Sequence, residues 1–376
     1  MVKDEMLKQI LFPIIRAGLE LNVEEIVSDI DYQQLLTVGK KHAILPIIRQ
    51  GLMILGKTGE GYSQVDKQCS NDILRFAYRD IALESICNCF EKNSISYVLL
   101  KGSVLRDLYP DAWMRTSCDI DVLIKEKDIP RAVEALESET EFKYEKRNYH
   151  DVSMIMPHAF LELHFSIKED MSNIDKMLSK AWAYVVNDAN SFRCSFTKEY
   201  QIFHVIAHMS YHFVHGGLGI RPYIDLWLLR HKTEYDEVIV RKMCDQCGIL
   251  KFYEECCYLS EVWLNNKPHS KISKALEEFS VSGGVFGNSN NQLLSRQRKY
   301  KGVNYILCRL FVSNEKIREM YPKAKKHPIL LLYYQFRRWR KVFTNRKSII
   351  QEIKAVNNTA NSEIEAYDQL LKSVGM

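Results

Sequence analysis

Residues 101–124 read KGSVLRDLYPDAWMRTSCDIDVLI, and Asp119 and Asp121 stand two apart where this stretch turns apolar. On a β-strand, side chains two apart share a face. The two carboxylates then point one way while Ile120, Val122 and Ile124 pack behind them. Acids held side by side repel each other and resist burial, so a divalent cation is the usual reason to keep such a pair. Downstream, Phe160-Leu161-Glu162-Leu163-His164-Phe165 alternates again, with Glu162 and His164 on one face. Placed beside the Asp119 strand, Glu162 supplies a third carboxylate. Three such oxygens suit Mg²⁺ (or Mn²⁺), which keeps waters and takes further ligands from substrate phosphates. Ions of this kind activate an attacking oxygen and neutralise the charge on a departing pyrophosphate.

A phosphate cradle precedes the acids. Gly102 lets the backbone approach a phosphate, and Ser103 stands where it can cap a helix over 104–109, whose free N–H groups attract anions. Lys101 and Arg115 are the nearby cations for a triphosphate.

The elements that must hold these residues divide the chain into three. Residues 1–93 carry helical stripes, ending in a long amphipathic helix over about 66–92 with Ile73, Phe76, Ile81, Leu83 and Ile86 as apolar positions. Residues 94–170 change to alternating periodicity. Strands are expected over 96–101, 118–125, a pair within 142–156, and 160–167, with a helix over 130–138. From 171 to 376 the pattern is helical, broken by a glycine- and asparagine-rich run at 280–291. The class expected is α+β and mostly helical, with a small mixed-sheet core between helical regions.

Composition agrees with this organisation. The chain has 376 residues, 46% of them hydrophobic, enough for a large core. A formal charge of +5 permits anionic partners without demanding nucleic acid. The first residues carry acids and a proline where a signal peptide needs an apolar stretch, no apolar run approaches a membrane span, and the ten cysteines scatter through helical patterns. A cytoplasmic protein with reduced thiols is expected.

Taken together, Lys101-Gly102, Arg115, Asp119-Ile120-Asp121, Glu162-Leu163-His164, a helix with His204, His208 and His212, and Gly219-Ile220-Arg221 with Asp225 resemble the bacterial "nucleotidyltransferase family protein" group of the DNA polymerase β-like superfamily. The resemblance spans roughly residues 30–345, with its chemically specific motifs in 101–164. It implies a polymerase β-like core in which Asp119, Asp121 and Glu162 bind metal and serve catalysis, and Lys101, Gly102, Ser103 and Arg115 bind the nucleotide. It also implies Mg²⁺-dependent transfer of an NMP from an NTP, ATP among the candidates, to an acceptor hydroxyl on a small molecule, RNA or protein. The alternative is a catalytically silent nucleotide- or partner-binding module of the same fold.

Other residues admit plainer readings. His204, His208 and His212 share one helical face; a polar stripe at the cleft is favoured over a zinc site, with His164, His208 and His212 as acceptor-side candidates. Arg221 and Asp225, four apart, are expected to pair. Cys244, Cys247, Cys256 and Cys257 fall in two helices hinged at Gly248 and read as core residues rather than metal ligands. The basic aromatic run 333–347 reads as an amphipathic helix with Phe336, Trp339 and Phe343 inward, in preference to an RNA or membrane surface.

Overall fold

The computed structural model describes residues 2–22, 29–284, 327–344 and 361–376, with isolated positions between 287 and 324. Four helices open the chain: α1 (Val2–Gly18), α2 (Tyr32–His42), α3 (Leu45–Ile54) and α4 (Tyr62–Lys92). A mixed sheet follows, built from β1 (Tyr97–Leu99), β2 (Ile120–Ile124), β3 (Lys143–Arg147), β4 (Asp151–Met156), β5 (Ala159–His164), β6 (Val185–Asn187) and β7 (Arg193–Phe196). Between strands lie α5 (Gly102–Leu105), α6 (Ile129–Glu139) and α7 (Ser172–Leu178). The chain continues as α8 (Lys198–His215), α9 (Arg221–Lys232), α10 (Glu237–Gln246), α11 (Leu250–Asn265) and α12 (Lys271–Ser282), then α13 (Leu330–Thr344) and α14 (Asn361–Ser373). The protein is a mostly helical α+β fold, its sheet flanked by helices.

The strands run in the order β3-β4-β5-β2-β1-β7-β6. β2 is central, antiparallel to β1 and parallel to β5. Alternation along β1, β2 and β5 sorts their side chains between two cores. Tyr97, Leu99, Ile120, Val122, Ile124, Leu161 and Leu163 pack with Leu83, Ile86 and Phe90 of α4 and with Ala132 and Leu136 of α6. Val98, Leu100 and Leu123 face the larger core shared with α1–α3 and α8–α11. The edge strand β3, sequence Lys-Tyr-Glu-Lys-Arg, is exposed along its length, and its charges discourage edge-to-edge pairing.

Several elements depart from expectation. β6 and β7 lie in the stretch read as helical, because three- and four-residue strands leave little periodicity to detect. β7 adds in parallel to β1, a long-range pairing without a local signal. Ile81, expected on the inner face of α4, is 63% exposed; the buried stripe is Ala82, Leu83, Ile86 and Phe90. Phe336 is likewise exposed at 65% rather than packed inward, while Trp339 is half-buried and the side chain of Phe343 lies outside the described residues. Of the 280–291 run, residues 285, 286 and 288–290 are also outside them. The hinge between α10 and α11 is real: Gly248 has φ +72°, the left-handed region glycine tolerates. Cys244, Cys247, Cys256 and Cys257 are buried and unbridged in the apolar core.

Candidate active site

Asp121 is delivered by β2 and Glu162 by β5, and the parallel pairing sets them at one register. His164, two residues on, shares the face. Its Nε2 lies 2.7 Å from Asp121 Oδ1 and 3.4 Å from Glu162 Oε2. Ligand atoms of these three side chains fall within 4.8 Å of one another. Asp119 sits one residue before the strand, where Ser117 Oγ donates to its Oδ1 at 3.2 Å. It lies outside that tight trio yet within the fields of Asp121, Lys101 and Glu162.

The electrostatics is that of carboxylates gathered ahead of their counter-ions. Burial and then Asp121 push Asp119 above the usual carboxylate range. Burial would raise Asp121 too, but Lys101, with Nζ 3.7 Å away, and the His164 hydrogen bond outweigh it and hold Asp121 below its ordinary value. The His164 hydrogen bond also lowers Glu162. Burial opposes a charge on His164, but Asp121 and Glu162 win and raise it to about 9.

The cradle is built at the β1–α5 junction. Lys101 occupies φ +41°, uncommon outside glycine and worth noting where a backbone meets a site. A Cβ on Gly102 would stand 2.8 Å from Arg115 Nη1 and from Ser117 Oγ, so the close approach of these groups requires glycine. Ser103 does not cap the helix: α5 begins at Gly102, Lys101 holds the cap position, and no side chain caps it. Ser103 is buried as the second helical residue.

Arg115 is committed inside the protein. Its Nε and Nη2 donate to Asp225 Oδ1 and Oδ2 at 2.8 and 2.9 Å, and Tyr109 Oη donates to the same carboxylate at 2.8 Å. The expected Arg221–Asp225 pair is therefore replaced. Arg221 instead donates from Nη1 to the Thr116 carbonyl at 2.7 Å.

α8, capped by Thr197 accepting from the Tyr200 N–H, presents the histidines. His204 is buried with Nε2 unpartnered, and burial lowers it to about 3. His208 Nδ1 lies 2.7 Å from Glu169 Oε1, and its Nε2 lies 3.0 Å from His212 Nε2. Burial keeps His208 and His212 neutral, His212 near 3. Glu169 is the residue sequence reasoning missed. In Lys168-Glu169-Asp170 it reads as one of three solvated charges, whereas it is largely buried beside the histidines.

A cavity of about 720 Å³ joins these parts. Lys101, Gly102, Arg115, Asp119, Asp121, His204, His208 and His212 line it, together with Arg75 and Arg79 of α4 and Arg221 of α9. Ser103, Glu162 and His164 are not in its wall; the latter two adjoin Asp121 at its side.

A family model described as "uncharacterised nucleotidyltransferase" matches residues 28–265, more than half of the chain. No curated protein and no solved structure is significantly similar to the chain. The matched span holds the sheet, the acids, the cradle and the cavity wall, and the chain belongs to the uncharacterised nucleotidyltransferase family.

Proposed function

We propose that the protein transfers a nucleoside monophosphate from an NTP to the hydroxyl of an acceptor. The observation that carries this reading is the pairing of Asp121 with Glu162 at one register of neighbouring strands, Asp119 beside them, at a cavity edged by cations. The donor set fits a divalent metal: three carboxylates within one another's fields have drawn in Lys101 and His164 as internal counter-ions. Asp119, Asp121 and Glu162 would hold Mg²⁺ or Mn²⁺, which when bound supplies charge neutralisation at the transferring phosphoryl group. Lys101, fixed at the β1–α5 turn, balances negative charge beside Asp121. Gly102, lacking a Cβ, lets Arg115 Nη1 and Ser117 Oγ close against the turn, and Arg115, clamped by Asp225, holds the turn in place. Glu162, at the register of Asp121 on the neighbouring strand, would accept the proton of the acceptor hydroxyl.

One observation favours a second reading, a silent nucleotide-binding module: His164 Nε2 already bridges Asp121 and Glu162. Calorimetry with Mg²⁺ and each NTP, followed by a pyrophosphate-release assay, separates the two. Binding with release supports transfer; binding without release under any acceptor mixture supports the silent module.

A further inference from the structure

The charged side chains around the cavity pair unevenly. Arg75 lies 3.8 Å from Asp72, Lys101 3.7 Å from Asp121 and Arg115 2.8 Å from Asp225. That leaves the exposed Lys40 of α2 and, deeper in, Arg79 of α4 and Arg221 of α9 at the cavity with no carboxylate within 4 Å among the described residues. Arg221 is fixed in place: its Nη1 is tied to the Thr116 carbonyl, while its Nε is buried without a partner. Both arginines feel Cys118, the residue just before Asp119, so they stand beside the loop that leads into the carboxylates. Burial lowers both below the ordinary arginine value, with the Arg115 charge adding to the effect on Arg221. Asp72 and Asp119 oppose this at Arg79 and Asp225 opposes it at Arg221, each from beyond ion-pair distance. An enclosed guanidinium with no paired carboxylate is costly, and a bound anion relieves that cost. Phosphate oxygens match the guanidinium fork in charge and geometry.

We propose that Arg79 and Arg221 form a two-sided clamp for the distal phosphates of the donor, reaching from α4 and α9 across the cavity. This rests on the nucleotidyl-transfer reading and deepens it. With the reacting phosphate at Asp119 and Asp121, the charge that must lie beyond it is the tail of a nucleoside triphosphate. A nucleotide sugar places a neutral ring at that position. Arg115, spent on Asp225, is the anchor of this arrangement rather than its phosphate ligand.

The test uses inorganic tripolyphosphate as the probe, titrated calorimetrically into the full chain in EDTA, so that no metal contributes. Wild type is expected to bind, and Arg79→Gln and Arg221→Gln each to weaken binding by about tenfold or more. Asp119→Asn, which removes a negative charge from the cavity, is expected to bind as well or better. ATP is expected to compete far better than AMP. Arg79 makes no hydrogen bond to the protein among the described residues, so Arg79→Gln decides the matter should Arg221→Gln disturb the Thr116 loop. Unchanged affinity in Arg79→Gln, or equal competition by AMP and ATP, overturns the clamp. Tripolyphosphate binding that both arginine variants abolish, in a protein that releases no pyrophosphate from any NTP, would sustain the clamp and remove the transfer reaction.

Discussion

Arg115→Met isolates the question of what Arg115 does. Its guanidinium and the Asp225 carboxylate are each about 6% exposed and meet in a bidentate pair, with Tyr109 as a third partner. Removing the arginine leaves Asp225 buried with the Tyr109 hydroxyl as its remaining donor among those bonds. An uncompensated charge of this kind costs about 3–5 kcal/mol. The double variant Arg115→Met/Asp225→Leu removes both charges and keeps the volume apolar, so most of that loss should return. The assay is urea unfolding of wild type, both single variants and the double variant, followed by fluorescence at fixed pH. Strongly negative coupling, with the double variant more stable than either single one, is the expected result. Nucleotide affinity should fall in the single variants, because Arg115 Nη1 and Ser117 Oγ crowd Gly102 and define the turn. If Arg115→Met unfolds within about 1 kcal/mol of wild type while losing NTP affinity, Arg115 is a phosphate ligand and the anchoring argument is wrong.

Other consequences can be measured independently. His42 is fully buried, donates from Nε2 to the Val281 carbonyl, and accepts the Ile220 N–H at Nδ1; burial and the Lys41 charge lower it to about 4. The unfolded chain binds that proton near 6.5, so this stability is present above pH 6.5 and lost as pH falls toward 4, about 2 kcal/mol by pH 5. Unfolding free energies at pH 7 and 5 should show the loss, and His42→Gln should make it smaller; an equal loss in the variant refutes the assignment. Among the described cysteines Cys118 is exposed and lines the cavity, whereas Cys69 and Cys257 are pushed by burial to about 12. Brief alkylation read by peptide mass spectrometry should mark Cys118 first, and ATP with Mg²⁺ should slow it; labelling unaffected by nucleotide would place the donor elsewhere.

How much of this was legible in the sequence depends on the range of each interaction. The strand carrying Asp121 could be read locally, because Ile120, Val122 and Ile124 alternate with it and alternation is a property of neighbours. That β5 lies beside β2 is not local, yet Glu162-Leu163-His164 repeats the same acid-in-apolar pattern and so pointed to a shared sheet. Partners distant in sequence left no such trace. Asp225 stands 110 residues from Arg115, and the four-residue spacing to Arg221 suggested a helical pair that tertiary packing overrode. Glu169 carried no pattern because a charged tripeptide after a strand looks like a solvated turn. Arg79 was equally silent: on a 31-residue helix with many polar positions, nothing in the sequence says which of them looks into a cavity.

The central claim is that Asp119 and Asp121 serve nucleotidyl transfer, and pyrophosphate release tests it most directly. Purified wild type, Asp119→Asn and Asp121→Asn would be incubated with Mg²⁺, each NTP in turn and a mixture of candidate acceptors. Circular dichroism and unfolding midpoints would confirm that the variants are folded. Release by wild type with at least one NTP is expected, with a fall to background in both folded variants. Release that persists in both variants would contradict it.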